Sequence, residues 1–89
     1  MKKSSKAYKT IGEVAEILEL DSTGNKRNTH TIRYWESEFK QIKPIIINKR
    51  RYYDDKNINL LKKIKFLLKD KGMTIFGAKK QINEDFFDI

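Results

Sequence analysis

Thr31-Ile32-Arg33-Tyr34-Trp35-Glu36, read together with Arg50-Arg51-Tyr52-Tyr53 downstream, decides what kind of fold this chain has. At about 100° per residue, a helix turns Ile32, Trp35 and Phe39 to one side and His30, Arg33, Tyr34 and Ser37 to the other. The first set is core material. The second set, joined by another basic and aromatic cluster, suits a nucleic-acid groove better than plain solvent.

Working outward, Thr10-Ile11-Gly12-Glu13 reads as a capping box, with Thr10 at the N-cap and Glu13 reaching back. Ile11, Val14, Ala15 and Leu18 recur at helical spacing, which predicts an amphipathic helix ending near Leu20. Asp21 to Asn28 is rich in Ser, Thr, Gly and Asn and is expected to be a loop, followed by a second helix from about Thr29 to Phe39. Pro44 stops any continuation. Ile45-Ile46-Ile47 and Arg51-Tyr52-Tyr53 flank Asn48-Lys49-Arg50 as a hairpin. Asp54 caps a third helix closed by Gly72, with an apolar arc of Leu60, Leu61, Ile64, Leu67 and Leu68. Thr74 caps a last helix in which Ile75, Ala78, Ile82 and Phe86 share a face.

The composition bounds the function. Eighty-nine residues, 38% of them hydrophobic, make one small domain with a modest core. The absence of cysteine excludes disulfides and thiolate metal sites, and a single histidine argues against a zinc or iron centre. No apolar run reaches the roughly 20 residues that span a bilayer, so no membrane partner is expected. The net charge is +8. Residues 28–53 carry six basic and two acidic groups and 54–80 carry eight and three, whereas 81–89 carry none and three. Basic charge concentrated in the body of a fold points to phosphates.

The order helix, turn, helix, basic hairpin, helix, helix resembles the DNA-binding domain of MerR-type bacterial transcription regulators, from about Tyr8 to Ile82. Ile11-Gly12-Glu13-Val14-Ala15 resembles that family's opening helix, and Ile32-Arg33-Tyr34-Trp35-Glu36 its recognition helix. Arg51-Tyr52-Tyr53 resembles the end of its wing, and Gly72-Met73-Thr74-Ile75 the turn into its fourth helix. The resemblance implies a mainly α fold: a winged helix-turn-helix with a short two-stranded wing and two further helices. Residues 1–7 would be a disordered basic segment, 8–82 the DNA-binding domain and 83–89 a short acidic tail. It also implies a cytoplasmic protein at the bacterial nucleoid, and dimers acting on inverted repeats. Two departures stand out. Asp21 to Arg27 looks inserted between the first two helices. The sequence ends at Ile89, where family members usually continue into a long dimerisation helix and often an effector domain, so the expectation is either a DNA-binding piece of a longer protein or a chain that works without those parts.

The expected DNA contacts are His30, Thr31, Arg33, Tyr34, Lys49, Arg50, Arg51 and Tyr53. Arg33 presents a fork matched to guanine or phosphate, and Tyr34 a hydroxyl for phosphate. His30 and Thr31 open the recognition helix, where amides favour phosphate; His30 serves equally well as a capping residue. Lys49, Arg50 and Arg51 sit on the hairpin. One of Tyr52 and Tyr53 must face the core, and the resemblance suggests Tyr53 as the DNA-side member. Thr10, Lys26 and Arg27 are further phosphate contacts. Trp35 is read as structural and Glu36 as orienting an arginine of the wing or helix. Phe66 and Phe76 fall outside their apolar arcs and suit a dimer or partner surface, while Lys62, Lys65 and Lys69 read as a solvated stripe.

Double-stranded DNA is thus the expected partner, with no cofactor and no catalytic set: no nucleophile and base pair up, and no glycine-rich phosphate loop is present. An excisionase-like architectural protein that bends DNA is the nearest alternative. A protein-interaction module anchored on exposed phenylalanines is another.

Overall fold

A computed structural model of the chain describes residues 8–20 and 28–87, with side chains as far as residue 84. The order is β1 (Lys9–Thr10), α1 (Ile11–Ile17), α2 (Thr29–Glu38), β2 (Ile45–Ile47), β3 (Arg50–Tyr53), α3 (Asp55–Lys65), a π-helical turn (Phe66–Asp70) and α4 (Ile75–Phe87). This is the mainly α winged helix-turn-helix expected from the sequence. α4 runs through most of the segment expected as an acidic tail, and the expectation for residues 1–7 lies outside the described residues.

Local chemistry sets the helix limits. The Thr10 capping box forms: the Glu13 amide donates to Thr10 Oγ1 at 3.3 Å, and the Thr10 amide donates to Glu13 Oε1 at 2.8 Å. α1 stops at Ile17 rather than Leu20 because Glu19 adopts a left-handed conformation, φ 55°. The Leu20 amide then donates to the Ala15 carbonyl and the Glu19 amide to that of Glu16. This is the Schellman arrangement, which satisfies the last carbonyls of a helix. Asn28 caps α2 and Asp54 caps α3. Thr74 caps α4 through a 3.0 Å bond from the Gly77 amide.

The core gathers the apolar face of every helix. Val14, Ala15 and Leu18 meet Ile32, Trp35 and Phe39, with Ile58, Leu61, Ile64 and Leu67 beneath and Ala78 and Ile82 closing the far side. Burying each of the Val, Leu, Ile and Phe side chains among them is worth about 1.5–3 kcal/mol relative to exposure. The helix-turn-helix therefore rests on the second helix pair.

The sheet has three strands, not the two expected, in the order β1-β3-β2 and wholly antiparallel. Lys9 stands opposite Tyr53 and Thr10 opposite Tyr52, so β3 is central. Asn48 and Lys49 join β2 to β3 with φ values of 50° and 68°. Two positive φ angles make a type I′ hairpin, the twist that matches the strands.

Candidate nucleic-acid interface

α2 presents two faces, as its spacing dictates. Ile32 and Trp35 are buried, while His30, Arg33, Tyr34 and Ser37 are exposed, Tyr34 to 52%. The Ser37 hydroxyl is already used, donating to the Tyr34 carbonyl at 2.6 Å. Thr31 is also engaged: its amide and hydroxyl both donate to Asn28 Oδ1, at 3.3 and 3.0 Å. His30, Arg33 and Tyr34 are left as the outward-facing polar groups of this surface.

Next to that face lies an open cleft of 280 Å³ lined by Thr10, Ile11, Arg33, Lys49, Arg50 and Arg51. Three parts of the chain meet there: the start of α1, the middle of α2 and the wing. Four of the lining residues are cationic and none of the described ones is acidic. Such a concavity concentrates positive potential and attracts a polyanion.

Lys49 adds a backbone signal. At φ 68° it occupies a position where glycine is unstrained, and a side chain there costs roughly 1 kcal/mol. The type I′ turn imposes that conformation, and it sets a cationic side chain at the tip of the wing.

Arg51 is placed differently from its neighbours. Its Nε–H donates to Glu36 Oε2 at 3.0 Å, and Tyr53 Oη donates to Glu36 Oε1 at 2.9 Å. Glu36 therefore orients a wing arginine, as the sequence suggested. Tyr53 corrects the sequence reading: it is fully buried, so it cannot be the DNA-side tyrosine. Alternation along β3 puts Tyr53 against the core and turns Tyr52, which is half-buried, to the other face. Burial first, then the hydrogen bond and charge of Glu36, push the Tyr53 phenol well above its ordinary pKa.

The remaining expectations divide. Thr10 joins the basic cleft, whereas Thr31 lines a separate one with Asn28, Lys65 and Lys69. Lys26 and Arg27 lie outside the described residues. Phe66 and Phe76 are exposed to 49% and 78%, with the Lys71 ammonium 5.9 Å from the Phe66 ring centre. Lys62 and Lys69 are solvated, but Lys65 is half-buried and its ammonium donates to the Leu18 carbonyl, where it completes the end of α1. Asn57, unremarked in the sequence, is buried and ties the backbone of Lys43 through bonds of 2.9 and 3.0 Å. Only its place on α3, one turn after the cap, hints at that role.

Among the described residues no helix is long and apolar enough to cross a membrane. No curated protein and no solved structure shows significant similarity to the chain. The model of the MerR HTH family of regulatory proteins matches residues 9–85, which takes in the capping box, the exposed face of α2, the wing, α3 and most of α4. On that match, the chain belongs to the MerR helix-turn-helix family of DNA-binding transcription regulators.

Proposed function

We propose that this chain binds specific duplex sites by laying α2 in the major groove and resting the wing on the neighbouring backbone. One observation carries the reading: Arg33 from α2 and Lys49, Arg50 and Arg51 from the wing line a single cleft in which no described residue is acidic. Arg33 is the base reader, because a guanidinium fork matches guanine O6 and N7. Tyr34 and His30 flank it on the exposed face and reach phosphate or groove wall. Lys49 and Arg50, at the wing tip, take phosphates and supply affinity that is independent of sequence. Thr10 sits at the edge of the same surface. Tyr53 is left out of the contact set.

Pairing of two copies belongs to the same reading. Among the described residues, Phe66 in the π-helical turn and Phe76 on α4 are exposed phenylalanines, and a second copy on an inverted-repeat site is the partner that would cover them.

Selection of bound duplexes from a random pool, followed by sequencing, tests the proposal. A two-fold symmetric consensus is expected. Recovery of duplexes with no shared sequence would contradict base reading and leave only charge-driven binding. Tandem asymmetric repeats would favour the architectural, excisionase-like role.

A further inference from the structure

An acidic side chain beside a phosphate-binding surface repels its own ligand, yet Glu36 sits on α2 one turn from Arg33. The structure shows where that carboxylate is spent. Its side chain is 15% exposed, and each oxygen is taken by a residue of β3: Oε2 by Arg51 at 3.0 Å and Oε1 by Tyr53 at 2.9 Å. Arg51 and Tyr53 are two apart on one strand, so they share a face and meet the two oxygens of the carboxylate side by side. β3 is hydrogen-bonded on both edges, and the Tyr53 ring is locked in the core. Glu36 is thus a direct side-chain tie between the recognition helix and the wing.

We propose that Glu36 is a positioning residue for DNA recognition. It fixes the distance between Arg33 and the wing tip, and it holds the Arg51 guanidinium on the helix instead of releasing it to phosphate. The inference rests on the DNA-binding reading above and adds to it a source of specificity that touches no DNA. It also changes the role of Arg51 from a phosphate contact to half of a clamp.

The signature is a pair of effects with opposite signs. Glu36→Gln keeps an acceptor for Tyr53 but discharges the tie to Arg51. One negative charge leaves the surface and one arginine is freed. Binding to random duplex therefore tightens, and its salt slope steepens by about one unit. With the wing no longer in register, preference for the selected site over random duplex falls by about tenfold, the scale of coupling within one charged network. A residue that merely stabilised the fold would lower the melting temperature and leave the preference unchanged.

The experiment measures both affinities across a salt series for the full chain, Glu36→Gln and Tyr53→Phe, using duplexes of selected and scrambled sequence. Tyr53→Phe removes one bond and retains the charge pair, so it should lower the preference by a smaller factor with the slope unchanged. An unchanged preference in Glu36→Gln overturns the clamp, as does a parallel fall in both affinities. If Glu36→Gln does not fold, an unchanged preference in Tyr53→Phe decides against it. An unaltered chain that binds both duplexes equally removes the base-reading proposal and the clamp with it. An unaltered chain that discriminates, beside a Glu36→Gln variant that discriminates equally well, removes the clamp alone.

Discussion

Replacing Asn57 with alanine should cost about 2 kcal/mol of folding stability, although the residue does not line the basic cleft. Its side chain is 6% exposed and closes a two-point link to Lys43, accepting from the amide at 2.9 Å and donating to the carbonyl at 3.0 Å. Lys43 precedes Pro44, and β2 begins at Ile45, so this link anchors the root of the wing. Each intramolecular hydrogen bond has a net worth of about 0.5–1.5 kcal/mol, and two are lost together. Both Lys43 groups are only part-buried, so water can reach them after the truncation and the cost stays near the sum of the two bonds. At about 4–8 °C per kcal/mol for a domain of this size, the melting temperature should fall by about 8–16 °C. Urea unfolding followed by the emission of Trp35, which is 3% exposed, reads the change directly. The midpoint should shift with the slope preserved. A loss under about 0.5 kcal/mol, the range of ordinary surface substitutions, would show that the link does not hold the wing root.

Lys49→Gly should leave stability unchanged or raise it by up to about 1 kcal/mol, because it relieves the left-handed strain at φ 68°. The same change should weaken DNA binding and reduce the salt slope by about one unit; an unchanged slope would take the wing tip out of the interface. Tyr53→Phe should destabilise at neutral pH, with a gap to the unaltered chain that narrows in alkali. The folded phenol titrates above its ordinary value of 10.0, so its stabilisation is complete below that pH and fades as pH rises past it. Parallel stability profiles across that range, measured by chemical denaturation, would contradict the Glu36–Tyr53 bond. Without DNA, the 89-residue chain should sediment as a monomer at low micromolar concentration, since the exposed phenylalanines among the described residues, Phe66 and Phe76, fall short of the roughly 1,200 Å² of a stable interface. A stable dimer abolished by Phe76→Ala would overturn that expectation.

Much of this architecture was legible because local rules and the fold agree. The Thr10 box, the two faces of α2, the Asp54 and Thr74 caps and the positive φ of Gly72 each follow from short-range chemistry, and each is present. The missed features depend on neighbours distant in sequence. Lys9 and Thr10 have no strand pattern and become β1 only because the approach to α1 runs beside β3. α1 ends early, at Ile17, because of Glu19, a residue type that does not advertise a left-handed conformation. Alternation established that one wing tyrosine is buried but not which; Glu36, waiting on α2 for the Tyr53 hydroxyl, decides it. Lys65 looked like part of a solvated stripe until folding brought the Leu18 carbonyl to its ammonium. For the candidate site, the identity of the residues was readable, whereas the convergence of Thr10, Arg33 and the wing on one cleft required the fold.

In the proposed complex Arg33 reads bases while the wing holds the backbone. The most direct measurement is a paired titration of Arg33→Ala and the unaltered chain on the selected duplex and on a scrambled one, at a fixed salt concentration. Loss of a bidentate base contact should cost about 1–3 kcal/mol on the selected site, a drop of roughly five- to 150-fold, with a much smaller loss on the scrambled duplex. Equal losses on both would mean that Arg33 touches only phosphate and that α2 is not the reading element.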